Sequence, residues 1–218
     1  MTIVEFVDRY PELYHMSERN SWPSIQKYGL LSVSALLDLF EYDEIRRKPI
    51  ESQWRPHKVR ITHSDYGTVV IRDQKPMPPD ALEACLTGGI TPTDWYKLLN
   101  SKTFFWVGTE RLSRMLTAKA YINEVQWVIT VDTSALLKDY ANKIRLTAFN
   151  TGFAFDNRPR GINTFKAIED WPRRYGVAEL AVDYGVPNIV EFTISVVEWK
   201  GVWEKGEKVG KRIRDIWS

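Results

Sequence analysis

The sequence predicts a single α+β domain, and three observations carry that expectation. Segments opened by helix-capping residues alternate with segments of strand character through the first two-thirds of the chain, and strands group towards its end. Gly and Pro clusters punctuate the chain, but none is long enough to link two domains. The 218 residues, 44% hydrophobic and 27% charged, suit one ordinary globular core.

The elements follow in order. Ile3 to Tyr10 forms a helical turn, and Glu12 to Met16 reads as a short strand. Trp22 to Tyr28 is a helix closed by Gly29, a C-cap signal, after which Leu30-Leu31 re-enter the core. Ser34 to Phe40 is a second helix with Leu36, Leu37 and Phe40 apolar. Tyr42 to His63 is charged, carries Pro49 and Pro56, and reads as a loop, the start of an insertion spanning about residues 41–99. Within it, Thr68 to Ile71 is a strand ended by the Pro-rich run 75–79. Asp80 caps a helix through Leu82 and Leu86 that Gly88-Gly89 breaks, and Thr91 starts another over Pro92 to Leu99. Beyond the insertion come a strand at Thr103 to Val107 and a helix at Glu110 to Ala120. A buried strand at Val125 to Asp132, a short helix at Ser134 to Tyr140 and a brief strand at Ile144 to Leu146 follow. The last strands are Val177 to Val182 and Ile189 to Trp199, before a charged tail.

Composition excludes several classes. A net charge of +2 gives no dominant field for nucleic acid, although Arg55, His57, Lys58 and Arg60 cluster, as do Lys205, Lys208, Lys211, Arg212 and Arg214. One cysteine, Cys85, and three His argue against disulfides and a zinc cluster. No apolar stretch approaches the roughly 20 residues that span a bilayer, so no membrane partner is expected. No secretory signal is visible, so a cytoplasmic setting is expected. Nine Trp exceed what the core needs, so some are expected to line a cleft or partner surface. Walker A, G-x-G-x-x-G, H-E-x-x-H and nucleophile-elbow motifs are all missing.

Three stretches are chemically suggestive. In Tyr14-His15-Met16-Ser17, the i, i+2 spacing on a strand puts His15 and Ser17 on one sheet face, where a ring nitrogen and a hydroxyl suit a ribose diol. A core histidine is the alternative. In Phe104-Phe105-Trp106-Val107-Gly108-Thr109-Glu110-Arg111, an aromatic strand empties into a helix with Arg111 in its first turn. An Arg there opposes the helix dipole, so helix stability does not explain it; it can clamp a phosphate, or merely pair with Glu110. In Val177-Ala178-Glu179-Leu180-Ala181-Val182, Glu179 is a charge inside an apolar strand, and such a carboxylate needs a partner or a task unless the strand is an edge facing water.

Together these stretches resemble the ADP-ribosyltransferase fold, and particularly the DarT-type nucleic-acid ADP-ribosyltransferase toxins. The match runs through Tyr14-His15-Met16-Ser17 and Gly29-Leu30-Leu31, then Phe104-Phe105-Trp106 with Arg111 and Met115-Leu116. It ends in Ala178-Glu179 followed by Val186-Pro187. Asn150-Thr151-Gly152 and Phe165 to Trp171 resemble the family's substrate-loop region, whereas Phe40 to Leu99 has no counterpart. The resemblance implies a split β-sandwich with flanking helices and an NAD cleft between two small sheets. It implies NAD as co-substrate and no metal. His15 and Ser17 would contact the nucleotide, Phe105 or Trp106 would pack near the nicotinamide, Arg111 or its rival Arg72 would hold phosphate, and Glu179 would be the catalytic carboxylate. It further implies a toxin or phage-defence setting, a single-stranded DNA or RNA acceptor, and an antitoxin protein partner. Two alternatives stay open: an NAD-using RNA 2′-phosphotransferase and a non-catalytic nucleotide-binding module.

Overall fold

The computed structural model describes residues 1–218. Its helices are α1 (Ile3–Arg9), α2 (Trp22–Tyr28), α3 (Val33–Leu39), α4 (Glu44–Glu51), α5 (Pro79–Glu83), α6 (Pro92–Asn100), α7 (Thr109–Leu116) and α8 (Thr133–Tyr140). Its strands are β1 (Glu12–Glu18), β2 (Leu30–Leu31), β3 (Val59–His63), β4 (Gly67–Ile71), β5 (Lys102–Trp106), β6 (Val125–Asp132), β7 (Ile144–Thr147), β8 (Glu179–Asp183), β9 (Gly185–Val186), β10 (Thr193–Glu204) and β11 (Glu207–Trp217). The mixed α and β composition expected from sequence is what the chain adopts. No helix is long and apolar enough to cross a membrane.

Seven strands form one antiparallel sheet in the order β11-β10-β6-β1-β5-β8-β7. Its middle is unevenly joined. β1 pairs with β6 at every position from Glu12↔Asp132 to Glu18↔Gln126, but with β5 only at Tyr14↔Trp106. Past that pair the two strands part, and the sheet forks into a four-stranded and a three-stranded arm. The expectation of two separate small sheets is thus replaced by one sheet with a fork.

Strand alternation sorts the side chains. Leu13, Phe105, Ile129, Leu146 and Leu180 point into the main core, closed by Phe6 of α1, Trp22 of α2 and Leu136 and Leu137 of α8. Tyr14, Met16 and Val128 point the other way, against Leu112 and Leu116 of α7. Each of those fully buried leucines contributes roughly 2–3 kcal/mol of burial. Close approach of α7 to the β10–β11 hairpin depends on the cross-strand pair Gly201↔Gly210, since a Cβ at Gly201 would collide with the Leu116 carbonyl.

Four sequence expectations are corrected here. Tyr42 to His63 is not a loop: Asp43 caps α4 by accepting the Arg46 N–H at 2.9 Å, and the helix continues through Pro49 although that residue has no N–H to give its ladder. Ile50, Ile61 and Ile71 then build a small core with Leu37 and Phe40. The charged tail is not a tail either, because it forms β11, the edge of the large sheet. The helix expected to reach Ala120 stops at Leu116, and the strand expected from Ile189 starts at Thr193 after a short 3-10 turn.

Candidate active site

The fork opens a cavity of about 590 Å³. His15, Ser17 and Glu18 of β1 form one wall, and Lys102, Thr103 and Phe104 of β5 the other; the β3–β4 hairpin roofs it with Val69, Ile71 and Arg72. The roof is tied at its tip, where Tyr28 of α2 donates to the Asp65 carbonyl at 3.1 Å and stacks edge-on against Tyr66. Five basic residues line the cavity (Arg19, Arg55, Arg60, Arg72 and Lys102) against Glu18 and Asp73; Lys102 is paired with Asp183 and Arg19 with Glu198, so Arg60 and Arg72 are the charges left to favour an anion.

His15 spans the fork. Its Nδ1–H donates to the Phe104 carbonyl of the opposite arm at 2.8 Å, which leaves Nε2 as an acceptor that is not sealed off. Burial pushes its pKa down to about 4, helped by the Arg72 charge and only partly opposed by the Phe104 carbonyl, so the ring is neutral at pH 7. Ser17 is 3% exposed and donates to the Trp127 carbonyl at 3.0 Å, keeping its lone pairs free as acceptors. Arg72 lies over the Tyr121 ring and donates through Nη1 to the Met16 carbonyl and Gln126, while Nη2 has no partner. Nine buried side-chain polar atoms in the whole chain lack a partner, and five belong to residues of this cavity: Glu18, Ser21, Arg72, Gln74 and Thr103. Those five atoms are sealed beneath the cavity surface, so they mark imperfect internal pairing where the two arms part and are not themselves ligand contacts.

Glu179 lies in the adjoining row of the sheet, not in the cavity wall. Register aligns Tyr14, Trp106, Glu179 and Thr147 across β1, β5, β8 and β7, all facing the α7 side. Glu179 is 4% exposed on a strand flanked by β5 and β7, so the edge-strand alternative does not hold. Its Oε2 accepts from the Thr151 N–H at 3.0 Å, the Thr151 hydroxyl at 2.8 Å and the Thr147 hydroxyl at 3.2 Å; Oε1 takes part in none of these bonds and is not sealed. Burial pushes the carboxyl up to about 7, against the Thr151 and Thr147 donors and the Arg111 charge, which favour the carboxylate. Arg111 is not paired with Glu110, which bonds Arg114 instead. Its charge favours the Glu179 carboxylate from a distance, the smallest of the influences on that group, with no ion pair between them.

The structure therefore sets Arg111 at a distance from Glu179, and brings His15, Ser17 and Arg72 to the cavity. The two arginines are not rivals for one position. Phe105 is 1% exposed beneath the His15 ring, in edge contact at 5.7 Å, and Trp106 stands beside Glu179; Phe104 is the aromatic that reaches the cavity. No Trp lines it, contrary to expectation, and the exposed indoles are Trp54 and Trp203. Arg55, read as part of a solvated basic cluster, is 5% exposed and donates to the Arg72 and Ile50 carbonyls and to Asn100, fixing the roof's root. Sequence reasoning missed this role, and also Thr147 and Gln74. No group of three or more His, Cys, Asp and Glu is placed to hold a metal.

Residues 11–193 match the family of unknown function DUF7002, and the chain belongs to that family. The matched span holds the β1–β5 junction where the sheet forks, the cavity and Glu179, and stops where β10 begins. No curated protein matches the chain.

Proposed function

We propose that the protein transfers ADP-ribose from NAD to a nucleic-acid acceptor, on a sheet split in the manner of the ADP-ribosyltransferase fold. The observation that carries this reading is the fork itself. One arm presents a neutral His15 acceptor to a cation-rich cavity, and the other, one strand further along the row that joins the arms, holds a buried carboxylate opposed by a single arginine.

The residues fit a dinucleotide. The volume lies within the range of small-molecule sites, Arg72 and Arg60 supply charge for a pyrophosphate, and His15 Nε2 and Ser17 supply acceptors for ribose hydroxyls. His15 Nε2, which is not sealed and has no partner in the chain, is the polar group such a ligand would satisfy. When bound, NAD supplies an ADP-ribosyl group with nicotinamide as leaving group. The chain's own part is electrostatic and acid–base. Glu179, ionised, favours positive charge on the ribose and takes the proton that the acceptor loses as it bonds to C1′. A carboxyl poised near neutrality suits that proton transfer.

Purified protein incubated with NAD labelled in the ADP-ribose, alongside separate pools of single-stranded DNA, RNA and protein, tests this. Nicotinamide release with label in a nucleic-acid pool is expected; no release from any mixture rejects the reading. A second reading, a nucleotide-binding module without chemistry, is favoured by one observation, that Glu179 stands off the cavity wall. It predicts NAD binding with no release.

A further inference from the structure

We propose that Thr151, on the loop after β7, is a positioning residue for Glu179, holding one carboxylate oxygen so that the other is presented for reaction. The proposal rests on the reading of Glu179 given above. Thr151 reaches across 28 residues of sequence to place two donors, its backbone N–H and its hydroxyl, on the same Oε2. Thr147 adds a third, longer contact, but its single proton is closer to the Phe149 carbonyl, at 2.9 Å, than to Glu179. The Thr151 hydroxyl therefore supplies the shortest side-chain bond that Glu179 makes. With Oε2 fixed, the side chain cannot rotate freely, and Oε1 is the oxygen left for substrate.

Thr151 is itself held. It is 1% exposed, Gly152 N–H bonds the Asn150 side chain at 2.9 Å, and the Ala154 N–H donates to the Pro76 carbonyl at 2.9 Å, joining this loop to the strap that carries Arg72. Fully buried Arg160 ties the loop's far side, donating to the Phe153 and Arg158 carbonyls and to Asp156. The hydroxyl's place is thus set by the loop, not by local propensity.

The groups facing Glu179 are few. From α7 comes the charge of Arg111; β5 and β7 present Trp106 and Thr147, and the loop presents Thr151, none of them charged. Tyr14, beyond Trp106 on β1, is occupied with Glu12 at 2.6 Å. Removing the Thr151 hydroxyl takes away a donor that favours the carboxylate and replaces it with nothing.

The test compares wild type, Thr151→Val, Thr151→Ser and Thr151→Ala. NAD-dependent transfer is measured from pH 5 to 9, and Glu179 is titrated by carbon-13 NMR of glutamate-labelled protein. Val keeps the shape and Ala relieves crowding should Val disturb the loop. In whichever folds, the Glu179 titration and the rising limb of the pH profile should move together to higher pH, by about one pH unit for one lost bond to a charged group. Ser should restore both. A titration and limb that stay at their wild-type positions in a folded Val or Ala protein overturn the proposal, as does failure of Ser to restore them. If folded wild type releases no nicotinamide, the transferase reading falls instead, while the titration still decides whether Thr151 sets the state of Glu179.

Discussion

The two halves of the site are finished to different degrees. Around Glu179 one oxygen is firmly held: both Thr151 donors and, at longer range, the Thr147 hydroxyl converge on Oε2, the Arg111 charge favours the carboxylate, and strands pair on both sides. Along the cavity, five buried polar atoms have no partner, and the strands that should close on each other share one residue pair. The contrast fits a division of labour. The carboxylate is organised before anything binds, whereas the cavity is open space between the arms that presents His15 Nε2 as an unsealed, unpaired acceptor.

The largest effect should come from breaking the finished half. Glu179→Gln keeps the shape and can still accept the Thr151 donors, but it carries no charge. Transfer should fall by about 10²-fold or more, while NAD affinity stays within a few-fold. Retained transfer in a folded Glu179→Gln protein, measured by label incorporation, would remove this strand from the mechanism.

The halves should also answer pH in opposite directions. Burial raises the Glu179 pKa to about 7 from an ordinary 4.5, so its contribution to stability is full below pH 4.5 and is lost as pH rises through 7. Burial lowers the His15 pKa to about 4 from 6.5, so its contribution is present above pH 6.5 and is lost as pH falls through 4. Each limb amounts to at most on the order of 3 kcal/mol. Thermal melts across pH 4 to 9 should show Glu179→Gln flattening the alkaline limb alone and His15→Gln flattening the acid limb alone. Both variants flattening the same limb would mean that the two environments have been confused.

In the unfinished half, ligand should repair what the fold leaves open. NAD at about 100 times its dissociation constant adds roughly 2.7 kcal/mol, a rise of roughly 5–10 °C in Tm for a chain this size. His15→Ala should weaken NAD about tenfold in calorimetric titration, more than it harms the apo protein. The reverse order would return His15 to the status of a core residue.

How much of this was legible varies by element. Val125 to Asp132 is legible to the residue because its β-branched and aromatic residues, broken only by Gln126 and Thr130 and bounded by Asp132, suit a short buried strand. Glu179 declared itself as a charge among apolar neighbours. By contrast, β11 was read as a tail because Val209, Ile213, Ile216 and Trp217 are diluted by Lys and Arg, which is how edge strands are kept from pairing with strangers. Pro49 hid α4, although Asp43 had already supplied its cap. Thr151 carries no local sign of its task, since the bond that gives it meaning forms only when β7 and β8 are side by side. Arg55 looked like its exposed neighbours until the roof folded over it.

The smallest predicted effect separates the cavity from the two basic clusters seen in the sequence. Of Lys58, Arg60, Lys211 and Arg212, three are already engaged. Lys58 contacts Glu18 at 2.9 Å and Glu124 at 3.3 Å, Lys211 contacts Glu204 at 3.4 Å, and Arg212 pairs with Asp215. Arg60 lines the cavity with no acidic partner among the chain's ion pairs. A nucleic-acid phosphate arriving at Lys211 or Arg212 must compete with carboxylates, while one arriving at the cavity mouth finds the Arg60 guanidinium free of an acidic partner. Single-stranded DNA binding should therefore weaken with salt, and Arg60→Glu should cost a few-fold in affinity. It should also reduce the slope of log K against log salt by about 0.7, the value of one released counterion on a single strand. Lys211→Glu and Arg212→Glu should change affinity less than twofold, because exposed pairs of this kind contribute little and their loss frees no phosphate site. If instead the ribbon variants abolish binding and Arg60→Glu leaves the salt slope untouched, nucleic acid approaches from the β11 edge, and the cavity serves the nucleotide alone.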